Sequence, residues 1–234
     1  MLSSTNRTFR RDEVRDYERR RYRGLDQRLV DRRERRITER LLAVALSHAE
    51  TSAPPGEAAG LPPLVLDVPC GYGRLSALVA GRRARLVAAD ISLHMVERAL
   101  QNIGGRGPAC LWVAGVVADL TKGLPFRGGA FDAAIVMRLF HHLHRSEDRR
   151  AVLAELARVT RGPIVISFYR LNRLHVLQRK LRKAVTGKTY EIRMITGRTF
   201  RDEVEAAGLR VVRVVPLFRG LHAQHIALLE ARRP

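Results

Sequence analysis

Three aspartates and a pair of glycines carry the first chemistry legible in this chain. The stretch LVLDVPCGYGRLSALVA, Leu64 to Ala80, is apolar up to Asp67, turns through Gly71 and Gly73, and continues as an amphipathic segment. A glycine-rich turn between a strand and a helix lets a ligand approach backbone N–H groups closely. Gly71-Tyr72-Gly73-Arg74-Leu75-Ser76 lacks the third glycine of the dinucleotide fingerprint, and no P-loop run is present. Asp90 closes a second apolar run and Asp119 a third. An acid at the second strand end suits a ribose diol, because one carboxylate accepts from two hydroxyls. Asp119 beside apolar Leu120 suits the amino group of an adenine. A single aspartate at such a place is commonly a helix cap; three at consecutive strand ends point to one shared ligand.

The elements that must position them follow from periodicity. Strand-like runs fall at Leu64–Val68, Arg85–Ala89, Leu111–Ala118, Phe131–Met137 and Pro163–Phe168, with helical segments at Arg74–Gly81, Ser92–Asn102 and Ser146–Val159. Continuous apolar strands joined by helical crossovers predict an α/β fold with a mostly parallel sheet covered on both faces. Ligands of such sheets sit beyond the strand C-termini, where strand order reverses. A further helix, Thr199–Ala207, carries a capping pattern from Thr199 to Asp202 and stops at Gly208. Arg210–Val215 and Ala223–Glu230 are two strands able to pair antiparallel.

Residues 1–50 read as a basic helical extension and lid, 51–63 as a linker (TSAPPGEAAGLPP) and 64–234 as the main domain, with a basic helical insertion at 170–198 as a second lid. In the extension Tyr22, Leu25, Leu29, Ile37, Leu41 and Ala45 recur mostly at three or four, which predicts one docking face. Asp12, Glu13, Asp16, Glu18, Asp31, Glu34 and Glu39 are expected to pair with arginines along the solvated face.

All but four of the 43 basic residues are arginine, and the net charge is +20. A charge this large attracts polyanions, whether RNA, an anionic membrane surface or a phosphorylated substrate, without choosing among them. Within 170–198 nine cationic side chains face Glu191 alone, and Leu171, Leu174, Leu177, Leu181 and Val185 predict a basic amphipathic helix there. No apolar run reaches the roughly 18 residues of a membrane span. The charged N-terminus has no apolar signal core, and Cys70 and Cys110 read as reduced thiols, so the expected location is cytoplasmic, at most peripheral to a membrane.

The segment VLDVPCGYGRLSALVA…LVAADISLHMVERAL…VVADLTKGLPFRGGAFDAAIVMRLFHHL…LAELARVTRGPIVIS resembles the class I S-adenosylmethionine-dependent methyltransferases of the bacterial small-molecule group, over roughly Leu64 to Ala231. The resemblance implies a Rossmann-like, doubly wound seven-stranded sheet whose last strand is antiparallel, with S-adenosylmethionine as cofactor and no metal. By it, Asp67, Cys70, Gly71 and Gly73 border the methionine part of the cofactor and Arg74 faces its carboxylate. Asp90 holds the ribose, Ile91 packs on the adenine, and Asp119 with Leu120 reads the adenine edge. Arg138, His141 and His142, in MRLFHHL after the fourth strand, fall where the family places cleft residues; they are the candidates for acceptor contact, either histidine being a candidate base. The sequence departs from the family at Pro69, where the turn usually has its first glycine; proline there excludes a need for positive φ or an N–H donor.

A small-molecule or lipid-like acceptor is expected. The fragment HHLHRSEDRRAVLAELARV is also similar to the corresponding region of tRNA wobble-uridine methyltransferases, and the charge fits RNA. Aromatic residues make up only 6% of the chain, so stacking platforms for RNA bases are scarce. A non-catalytic module that keeps the fold is the third reading, suggested by Pro69 alone.

Overall fold

The computed structural model describes residues 10–21, 24–51, 61–80, 82–104, 112–171 and 193–232. The expectations for Tyr22, for Cys110 and for the basic helix within 172–192 lie outside the described residues. Helices α1 (Arg11–Arg21) and α2 (Leu25–Thr51) precede strand β1 (Leu64–Asp67). Then come α3 (Ser76–Ala80), β2 (Arg85–Asp90), α4 (Leu93–Gly104), β3 (Trp112–Val117), β4 (Ala133–Val136) and α5 (Ser146–Val159). The chain continues through β5 (Ile164–Tyr169), α6 (Gly197–Ala206), β6 (Leu209–Pro216) and β7 (Gln224–Ala231). Short 3-10 turns at Leu120–Lys122 and Phe140–His142 follow β3 and β4.

The strands form one seven-stranded sheet in the order β3-β2-β1-β4-β5-β7-β6. β1 through β5 pair parallel, and β7 inserts antiparallel between β5 and β6. Chain order reverses between β1 and β4, so the crevice expected of a doubly wound sheet opens beyond the end of β1. Asp67 of β1 sits opposite Ala88, two residues before Asp90 ends β2. The three aspartates thus lie on neighbouring strand ends about 5 Å apart in the pairing direction.

Side-chain alternation divides the core into two layers. Val136, Ile164, Ile166 and Phe168 join Leu153, Leu156 and Phe200 on one face, where the Phe168 and Phe200 rings stack 3.8 Å apart. Val65, Ile135 and Val165 meet Ile37, Leu41, Leu42, Ala45 and Leu46 of α2 on the other. The extension helix therefore closes one face of the sheet. Its docking stripe differs from the one expected: Leu25 and Leu29 are exposed, at 82% and 58%, and burial begins at Glu34. The wetted face predicted for Glu34 is thereby corrected, since it shares the i, i+3, i+4 row of Ile37, Thr38 and Leu41 and is fully buried. The cap of α6 is likewise Thr196 rather than Thr199; its hydroxyl accepts from Thr199 N at 3.0 Å. No helix among the described residues is long and apolar enough to cross a membrane.

A buried ion pair ties the loop after β4 to α6. Arg149 donates through Nε and Nη2 to the two carboxylate oxygens of Glu203 at 2.9 and 2.6 Å, and its Nη1 donates to Leu143 O at 2.9 Å. Both residues are almost fully buried, so removing one strands an uncompensated charge. Glu203→Ala should lower stability by about 3–5 kcal/mol in urea unfolding, and an Arg149→Met/Glu203→Leu double variant should recover most of it. A loss below ~1 kcal/mol for the single variant would mean that Arg149 finds another partner.

Candidate active site

The turn after β1 is held from two sides. Cys70 N donates to Ala89 O at 2.8 Å, and Gly71 N donates to Asp90 Oδ2 at 3.0 Å. Asp90 Oδ1 accepts from Ser92 N at 3.0 Å. One carboxylate therefore fixes both the turn and the start of α4. The two glycines serve different ends. Gly73, at φ 82°, lies against α4, and a Cβ there would meet Ala99 Cα at 2.8 Å. Gly71, at φ 52°, has nothing within 4 Å of where its Cβ would stand. Gly73 is required by helix packing, whereas Gly71 leaves open space against the backbone.

Asp67 is buried at the end of β1 and accepts from Ser76 Oγ at 2.5 Å. Burial pushes its carboxyl up to about 7, the neighbouring charge of Asp90 adds to this, and Ser76 and Arg74 work against it. Burial raises Asp90 too, with the N–H groups of Ser92 and Gly71 opposing. Two desolvated acids side by side favour a cationic guest, whose charge would offset both. Burial drives the Cys70 thiol well above its usual range, so it is no nucleophile at neutral pH. At the third strand end Asp119 Oδ1 accepts from Thr121 N and Oγ1 at 2.9 and 2.6 Å. Its Oδ2 is buried, accepts no hydrogen bond among the described residues, and has the Lys122 ammonium 3.5 Å away. That oxygen suits an amino donor. Leu120 beside it is buried and Ile91 half-buried.

Arg74 is committed elsewhere. Its guanidinium donates to Asp31 at 2.5 Å and to Glu34 at 2.6 Å, both on α2. Arg138, at the end of β4, grips the same Glu34 with Nε and Nη2 at 3.0 and 2.7 Å, and the Gln224 amide also donates to it. Burial works to raise Glu34, but Arg74 and Arg138, together with their hydrogen bonds and that of Gln224, outweigh it and hold the carboxyl at about 2. The sequence reading missed this centre. Its signal was an acid within an apolar helical row.

The histidine pair stands on the 3-10 turn after β4. His141 is buried and His142 exposed, with ring centroids 3.9 Å apart. Tyr169 at the end of β5 lies 4.7 Å from the His141 ring, and His222, just before β7, lies 6.2 Å from Tyr169. Tyr169 and His222 also escaped the sequence reading. These four rings line the edge made by the C-terminal ends of β4 and β5 and the loop before β7, and β4 neighbours β1, which ends in Asp67.

Asp67 also sets a pH test. Between 3.8 and about 7 the folded chain retains the Asp67 proton that the unfolded chain has released, so stability falls as pH rises through that window. The loss is about 4 kcal/mol at on the order of 1.4 kcal/mol per pH unit. Asp67→Asn should flatten this fall, read as unfolding free energy at about pH 4.5 and about pH 8. An equal fall in variant and parent would place the Asp67 carboxyl in its ordinary range.

Residues 65–162 match the methyltransferase domain family. A demethylmenaquinone methyltransferase of Thermobifida fusca is 35% identical over 105 residues, 44% of this chain and 42% of that protein, so the match spans less than half of the relative. Magnesium protoporphyrin IX methyltransferase from Synechocystis, solved with bound S-adenosylhomocysteine, superposes with a TM-score of 0.71 at 20% identity, over 94% of this chain and 99% of that one. A methyltransferase from Leishmania major superposes at 0.61 with 14% identity, over 94% and 82%. These superpositions establish the fold. Residues 65–162 thus carry a methyltransferase domain, set on the fold shared with these solved methyltransferases.

Proposed function

We propose that the chain transfers the sulfonium methyl of S-adenosylmethionine to a small, flat, conjugated acceptor seated at the edge formed by His141, His142, Tyr169 and His222. The observation that carries the donor half is the Gly71 cradle with Asp67, Asp90 and Asp119 at adjoining strand ends. When bound, S-adenosylmethionine supplies an electrophilic methyl on a good leaving group. Asp90 accepts the ribose hydroxyls, Asp119 Oδ2 accepts the adenine amino group, and Asp67, once ionised, faces the cationic methionine end. The protein has to orient and desolvate the reactants rather than supply bonds of its own.

The acceptor half rests on the row of rings, which offers aromatic faces and edges to a planar guest. The two relatives named for their substrates act on a demethylated menaquinone and a porphyrin, both conjugated rings. An acceptor that reacts through an O–H or N–H would have to give up that proton for the transfer to complete. We assign that proton to His142, a role supported by its exposure and by the His141 ring packed behind it. Arg138 is gripped by Glu34, which makes it a holder of this edge more than a free anion site.

Calorimetry with S-adenosylhomocysteine should show saturable binding, and Asp90→Ala should weaken it by about 100-fold or more, since two charge-assisted hydrogen bonds of ~1.5–3 kcal/mol are lost. Methyl-labelled donor offered to cell extract should label the small-molecule fraction in an Asp90-dependent way. No binding would remove the donor site, while label confined to the RNA fraction would replace the acceptor proposed here with RNA.

A further inference from the structure

We infer that Glu34 and Ser167 are positioning residues that hold the end of β4 in a left-handed bend and so set the two histidine rings at the acceptor edge. The inference rests on the reading of that edge given above. Arg138 has φ 60°, the one positive φ at a non-glycine residue among those described. A side chain of this size rarely adopts that conformation, because its Cβ crowds the neighbouring carbonyl, and it persists where surrounding contacts over-determine it. Here they do, from two directions. Arg138 N donates to Ser167 Oγ at 2.7 Å, tying the bent peptide to the neighbouring strand β5. The guanidinium of the same residue forks onto the two oxygens of Glu34, a geometry that fixes direction as well as distance. Glu34 and Ser167 are both essentially fully buried.

The bend has a local consequence. Directly after it the chain enters the turn Phe140–His142, in which His142 N donates to Leu139 O at 2.9 Å. That turn lays His141 against Tyr169 of β5 and His142 against His141. An extended residue at 138 would carry β4 straight on and point 139–142 away from β5. Glu34 adds a second link, because the oxygen that accepts from Arg138 Nη2 also accepts from Arg74 in the turn after β1. One carboxylate from the extension helix therefore references the donor turn and the acceptor edge to a common point. Neither Glu34 nor Ser167 touches reacting atoms in this scheme. Their effect passes through the backbone of Arg138.

The test uses the full chain and the ring ¹⁵N–¹H signals of its histidines, assigned by single His→Gln replacements and recorded at one pH. Glu34→Gln and Ser167→Ala should each move the His141 and His142 signals while leaving those of distant His94 in place. Glycine accepts positive φ without being held. Arg138→Gly placed in the Glu34→Gln background should therefore return the two signals toward their original positions. Arg138→Ala in the same background removes the same guanidinium but keeps the Cβ, and should leave them displaced. Ring signals that stay put in Glu34→Gln and Ser167→Ala, with only the melting temperature lowered, would reduce the pair to a staple and overturn the inference, as would equal behaviour of the glycine and alanine doubles. Should Glu34→Gln fail to fold, Ser167→Ala decides alone. S-adenosylhomocysteine binding, followed in parallel, should be unchanged in Ser167→Ala. Absence of binding in the parent chain would strike the donor site and leave the ring readout standing.

Discussion

Glu34 stands where four distant parts of the chain meet. It rises from α2, accepts from Arg74 in the turn after β1, from Arg138 at the end of β4 and from Gln224 at the start of β7. A carboxylate with no exposed surface is costly unless charge and hydrogen bonds compensate it, and here two guanidiniums and an amide do so. Because breaking any one arm leaves a buried charge poorly matched, the four segments hold one another in register. The apolar row of α2 sets the helix on the sheet; Glu34 fixes where along the sheet it sits.

Beside that satisfied centre lies a pair of acids with the opposite character. Asp67 and Asp90 are buried close together and draw their compensation from Ser76 and from backbone N–H groups. Arg74 lowers Asp67 only partly, because its guanidinium is directed at Asp31 and Glu34. Electrostatic need is thus met on the α2 side and left open on the turn side, where Gly71 gives a ligand access to the backbone. The cationic nucleoside proposed as donor would answer that imbalance, its charge offsetting the buried carboxylates at adjoining strand ends.

The strands, their parallel order and the strand-end acids could be read from the chain because they rest on local signals. LVLD, AAIV and IVISFY are apolar without alternation, as strands covered on both faces must be, and their ends are marked by a change to Asp or to a turn. The histidine pair was found from its place after the fourth strand, yet nothing local tells that His141 is buried and His142 exposed. Glu34 was misplaced on the wetted face because in an arginine-rich helix an acid suggests i,i+4 pairing, while its true partners lie 40, 104 and 190 residues away. Arg74, matched to a cofactor carboxylate by resemblance, binds α2 instead, for the same reason.

By itself, the sequence determined the α/β layering, the glycine turn and the aspartates at three strand ends, because hydrophobic period and turn chemistry act over a few residues. Only the tertiary structure decided which charges meet. It seated the extension helix on the sheet, gathered Arg74, Arg138 and Gln224 around Glu34, bent the backbone at Arg138 and set Tyr169 and His222 in line with the histidine pair. Such contacts join segments far apart along the chain, and a side chain shows its partner only when the sheet has brought the two together.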